Sequence, residues 1–89
     1  MLWQTSDKVE WKEGQLYYIK HLFDTPNLYI NVEEITEKFN QRVVIGKISS
    51  LLNGGGFNGI IMIDDEQWHK FKFKPFTQKE AEEWVEKLI

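Results

Sequence analysis

Few side chains in this 89-residue sequence could do acid–base or nucleophilic chemistry: His21, His69, the pair Ser49-Ser50 and the run Asp64-Asp65-Glu66. A serine nucleophile needs a base and an orienting acid converging on it. Ser49 and Ser50 stand beside a glycine-rich stretch, with no nucleophile-elbow sequence around them. His69 shares strand parity with Phe71 and Phe73, which sets it at the rim of a core without the partners of a catalytic base. The three carboxylates could hold a metal only by converging, which neighbours on one turn rarely do. They read as a polar hairpin turn between two strands. The absence of cysteine excludes disulfides, zinc–thiolate sites and cysteine nucleophiles. The expectation is no catalytic residue, no metal, no cofactor and no enzymatic activity. Were there an activity, His21, His69 and the loop at 51–59 would be the places to look.

Gly54-Gly55-Gly56-Phe57-Asn58-Gly59 matches a dinucleotide-binding pattern letter by letter. That chemistry needs the glycines to leave a strand and open a helix, so that phosphate meets the helix N-terminus. Here they lead into Ile60-Ile61-Met62-Ile63, a strand-like run, and the stretch reads as a flexible connection.

The best candidate for binding is a stripe near the C-terminal end. From Trp68 to Lys74 the residues alternate with period two, so Lys70, Lys72 and Lys74 share one strand face. They recur about every 6.8 Å, with Trp68 and Phe76 at the ends of the stripe. Trp68, Lys70, Lys72, Lys74 and Phe76 could together hold a phosphate-bearing or acidic partner. Lysines so placed also keep a strand edge from pairing with other chains.

The elements that must position these residues follow from pattern. Lys8–Lys12 alternates like a strand, Glu13-Gly14 reads as a turn, and residues 15–23 complete a hairpin. Asp24-Thr25-Pro26-Asn27 is a second turn and residues 28–30 a third strand. Residues 31–40 lean to strand, one helical turn, then strand, although an extended, bulged strand fits them equally. Residues 42–49 form a β-branched strand, and 60–63 and 68–74 a closing pair. Thr77 with Glu80 makes a capping box, Phe76 with Ala81 a hydrophobic staple, and Ala81, Trp84, Val85 and Leu88 one apolar stripe. Residues 77–89 are therefore a helix anchored to a sheet by Trp84.

Composition bounds the rest. The chain reads as one small domain over residues 1–89, with aromatics at 15% to fill its core. The net charge is -3. Residues 1–40 carry seven acids against four bases, and residues 41–89 seven of each. Such a balance argues against sequence-independent nucleic-acid binding. No stretch approaches the roughly 20 apolar residues of a membrane span, and no signal peptide is visible. A bacterial or phage cytoplasm is the expected setting.

The segments 57–63, 68–73 and 77–89 resemble the C-terminal half of short bacterial pleckstrin-homology-like domains, and 28–35 resembles their mid-domain strand. The resemblance implies a strongly bent, mostly antiparallel sheet closed by one C-terminal amphipathic helix, an α+β fold. The patterns yield six strands where that family usually has seven. A smaller sheet-plus-helix fold is the alternative. Two functions are expected: a non-enzymatic module that recognises a protein or peptide partner, or a small acidic inhibitor or immunity-type protein of phage or bacterial competition systems. Trp3, Tyr18 and Trp68 on outer strand faces would suit a monomer or weak homodimer.

Overall fold

The structure, a computed structural model, describes residues 3–21, 28–51 and 55–88. In the last helix the side chains at 81, 84, 85, 87 and 88 lie outside that description. Five strands form one antiparallel sheet in the order β4-β3-β2-β1-β5: β1 Leu16–His21, β2 Leu28–Lys38, β3 Gln41–Ser50, β4 Gly56–Met62 and β5 Phe71–Phe76. A 3₁₀ turn, Glu66–Lys70, leads into β5, and a short helix, α1 Gln78–Leu88, follows it. The fold is mostly β, and none of the described helices is long and apolar enough to cross a membrane.

Of residues 31–40, those from 31 to 38 are extended and the last two form a turn, with no helical turn among them. β2 runs unbroken past Asn31, with a bulge between Val32 and Glu34 where the register to β3 slips. The bulge bends the strand. Gly46 sits opposite Val32, and a Cβ there would collide with the carbonyl oxygen of Asn31. Only glycine lets the two backbones approach so closely. Beyond the bulge β2 leaves β1 behind and continues beside β3, which keeps β4 on its other side as far as Val43. Phe39 and Asn40 turn the chain at φ of 57° and 59°. Two consecutive positive φ values mark the primed turn whose twist matches a hairpin.

Lys8–Lys12 is not a strand. The Glu13-Gly14 turn forms, with Gly14 at φ 82°, but β1 pairs with β2 and β5 instead. The N-terminal segment works differently. Gln4 exchanges backbone hydrogen bonds with Phe73 on the outer side of β5, at 3.0 and 2.8 Å. Ser6, fully buried, donates its hydroxyl to the carbonyl of Ile63 just past β4, at 2.7 Å. Residues 4–6 thereby link the two ends of the sheet order. The indole of Trp11 donates to the Ser6 carbonyl. The Tyr17 hydroxyl accepts from the amide of Lys12 and donates to the carbonyl of Glu10. Those bonds hold residues 9–12 as a loop over the core.

The expected closing hairpin is absent too. β4 and β5 occupy opposite edges of the sheet, and Asp64-Asp65-Glu66 opens the 3₁₀ turn between them. The Asp65 carboxylate caps that turn by accepting from the Gln67 amide. The glycine-rich stretch forms strand sooner than expected, since Gly56, Phe57, Asn58 and Gly59 pair with Ser49, Ile48, Lys47 and Gly46.

One side of the sheet carries the main core: Tyr17, Ile19, Ile30, Val32, Val44, Ile48, Ile61, Ile63 and Phe73, with Trp11, Trp68 and Phe71 packed at its margin. The other side carries a smaller cluster of Tyr18, Leu51 and Phe76, flanked by Trp3, Leu16 and Tyr29. The helix begins as its sequence predicts, with the Glu80 amide donating to the Thr77 hydroxyl. That hydroxyl donates in turn to the Glu80 carboxylate. Glu82, Glu83 and Glu86 are exposed. The staple with Ala81 and the stripe of Trp84, Val85 and Leu88 fall outside the described side chains.

Candidate partner-binding face

The smaller cluster supports the site. Period-two alternation in β1 sends Tyr18 and Lys20 to the same face as Leu16, away from the main core. The β1–β5 register sets Leu16 opposite Phe76, Tyr18 opposite Lys74, and Lys20 opposite Lys72. Lys20, Lys72 and Lys74 therefore share one outer face, rooted on two adjacent strands. Trp3 lies over this face, with the Lys20 ammonium 4.9 Å and the Lys74 ammonium 5.9 Å from its ring centre. Its ring is 6.0 Å from that of Tyr18. Beneath, Tyr18 stacks on Phe76 and Phe76 meets Tyr29 edge-on. The arrangement is a half-buried indole between the ammonium groups of Lys20 and Lys74, on a buried aromatic floor.

Electrostatics make the face receptive to anions. Lys20 and Lys72 are direct cross-strand partners, a placement that like charges disfavour. Of the two, Lys20 has contact with Trp3, which offsets this by about 0.5–1 kcal/mol at an exposed site. Among the described residues no carboxylate forms an ion pair with Lys20, Lys72 or Lys74; the ion pair found there is Arg42–Asp64. Burial, and then the charge of Glu80, hold the Tyr18 hydroxyl above its ordinary pKa, so it stays a neutral donor.

Of the residues expected at the site, Lys72, Lys74 and Phe76 lie on β5, but Phe76 is buried and forms the floor instead of an exposed end. Trp68 and Lys70 do not join them. Both fall in the 3₁₀ turn, where period two no longer applies, and Trp68 packs on Phe71 at 5.3 Å against the main core. Lys20 was not singled out from the sequence. Its parity with Tyr18 was legible, but its juxtaposition with Lys72 depends on a pairing between distant segments.

The other polar groups are dispersed. His21 meets Phe71 edge-on, while His69 stands 3.7 Å from Asp7. A hydrogen bond from the Thr5 hydroxyl holds the Asp7 carboxyl below its ordinary pKa. Arg42 does the same for Asp64 through bonds of 2.8 and 3.0 Å. A cavity of about 400 Å³ opens between the loop at 9–15 and the start of α1, lined by Glu10, Lys12, Gln15, Tyr17 and Glu80 among others. Its Tyr17 hydroxyl and Gln15 amide are engaged by backbone groups, and no histidine lines it. No group of three or more His, Asp or Glu side chains suited to a metal occurs among the described residues.

Compared with protein-family models, curated proteins and solved structures, the chain matches none.

Proposed function

We propose that the protein is a non-enzymatic binding module that recognises an acidic protein or peptide through Trp3, Lys20, Lys72 and Lys74. The observation behind this reading is the opposition of Lys20 and Lys72 beside an indole, without a carboxylate pairing them among the described residues. A carboxylate of a partner placed between the two ammonium groups relieves their repulsion, and Trp3 supplies apolar contact area. The pleckstrin-homology-like reading rests on antiparallel strands followed by a single C-terminal helix. The sheet described here has five strands, against the usual seven of that family.

Titrating acidic peptides against the indole fluorescence of the protein tests the proposal. Binding should weaken as salt rises, because exposed charge pairs are screened. Replacing Lys20, Lys72 and Lys74 together by alanine should abolish it. Lys72→Ala alone should change stability by less than about 0.5 kcal/mol, and Lys20→Ala or Lys74→Ala by no more than about 1 kcal/mol, the value of a contact with Trp3. Undiminished, salt-independent binding by the triple variant would remove this face from consideration.

A second reading, the acidic inhibitor or immunity-type protein, draws on Glu33, Glu34 and Glu37, all exposed along β2. An acidic surface of that kind opposes a basic active site. It predicts a basic partner lost on charge reversal at these glutamates and retained by the lysine triple variant.

A further inference from the structure

The two edges of the sheet are treated in opposite ways. On β5 the outward backbone groups of Phe73 are taken by Gln4. Ladder groups alternate, so Pro75 also faces outward, where its missing N–H leaves no donor. Lys72 and Lys74 flank these positions. β4 has none of these guards. Residues 55–63 carry no charged side chain and no proline, and no other described segment pairs with the outer side of β4. Phe57 is 61% and Ile60 41% exposed.

The ladder to β3 fixes which groups are free. Ser50 donates to the Gly55 carbonyl and Ile63 donates to that of Arg42. Odd-numbered residues from 55 to 63 therefore bond inward. By alternation, Gly56, Asn58, Ile60 and Met62 direct their N–H and C=O groups away from the sheet.

We propose that β4 pairs antiparallel with β4 of a second copy of this chain, about a two-fold axis at Gly59. That register sets Asn58 opposite Ile60 and Gly56 opposite Met62, so each outward residue meets another outward residue. Moving the axis to Asn58 or Ile60 strands Met62 or Gly56 beyond the end of the partner strand. Gly59 then faces Gly59 at a non-hydrogen-bonded position, where Cα atoms come within about 4.5 Å and side chains would crowd. Phe57 falls opposite Ile61 of the same face. A two-fold interface must be self-complementary, and an uncharged strand opposes no like charges when paired with itself. The same neutrality leaves no charged side chain to select a foreign acidic or basic peptide. The proposal is independent of the basic face, which lies on β1 and β5.

Sedimentation equilibrium over a concentration series, with amide hydrogen exchange on the same samples, provides the test. The wild-type chain should dimerise, and exchange at Asn58, Ile60 and Met62 should slow as concentration rises. Asn58→Pro removes one outward donor per copy and should raise the dimer dissociation constant at least about tenfold, equivalent to about 1.4 kcal/mol. Ile60→Lys keeps every backbone group, adds an edge guard, and should weaken dimerisation in the same direction. Circular dichroism of both variants at low concentration should match the wild type; if Asn58→Pro misfolds, Ile60→Lys carries the test. A strict monomer with concentration-independent exchange would overturn the proposal. So would a dimer indifferent to both substitutions. Protection of the three amides by an unrelated alternating Val-Thr peptide, with the chain itself monomeric, would assign the edge to another occupant and overturn self-pairing.

Discussion

Tyr18 and Phe76 stack nearly parallel across β1 and β5, their ring centres 3.9 Å apart and their planes at 16°. Neither residue faces the main core. The stack gives the outer face an apolar floor of its own, and Trp3 rests against it through Tyr18. It also joins the two strands that present the lysines, so packing and candidate binding share one foundation.

Removing half of that stack should be costly. Phe76→Ala is expected to lose about 3–5 kcal/mol, the usual range for a buried phenylalanine. A domain of this size has only about 5 kcal/mol in reserve, so the variant should be largely unfolded in mild denaturant. Urea titration measures the loss. A variant as stable as the wild type would mean that the outer cluster contributes nothing.

Backbone proximity at the β2 bulge makes a sharper distinction. Gly46→Ala pushes a methyl group onto the Asn31 carbonyl, which belongs to a paired strand and has nowhere to retreat. The expected cost is about 1–3 kcal/mol, as for overpacking elsewhere. Gly55→Ala meets no atom within 4 Å and should stay within about 0.5 kcal/mol of the wild type. Equal melting temperatures for the two variants would refute the close-approach account.

Tyr17 predicts an alkaline limb. Burial holds its hydroxyl above the ordinary value of 10.0, and the nearby Glu10 charge acts in the same direction against the Lys12 hydrogen bond. A raised folded pKa means that the unfolded chain loses its proton first. The stabilisation is therefore complete below pH 10.0 and declines as pH rises from there through the folded value. Tyr17→Phe removes this contribution and should flatten the decline. At neutral pH it should also cost about 1–3 kcal/mol, because the Lys12 amide and Glu10 carbonyl lose their partner. Denaturant midpoints across an alkaline pH series test both; superimposable profiles would contradict the assignment.

Local periodicity determined much of this protein. Phe71 to Phe76 alternates and is a strand; Thr77 and Glu80 mark the start of the helix, because a cap needs only its near neighbours. Glu13-Gly14 forms its turn for the same reason. Trp68-His69-Lys70 continues the same alternation and yet is a 3₁₀ turn, because the Asp65 cap and the packing of Trp68 on Phe71 outweigh a three-residue pattern. Gly56 to Gly59 has the composition of a loop and is a strand. The β3 backbone supplies its partners, and the Ile48 side chain occupies the space beside Gly59. Which strands would be neighbours was decided only by tertiary structure. The β1–β5 register joins Lys20 to Lys72 across some fifty residues, and Ser6 reaches Ile63, 57 residues further along the chain. Such contacts form because they bury Tyr17, Phe73 and Ile63 together in one core, a requirement that no short window of sequence expresses.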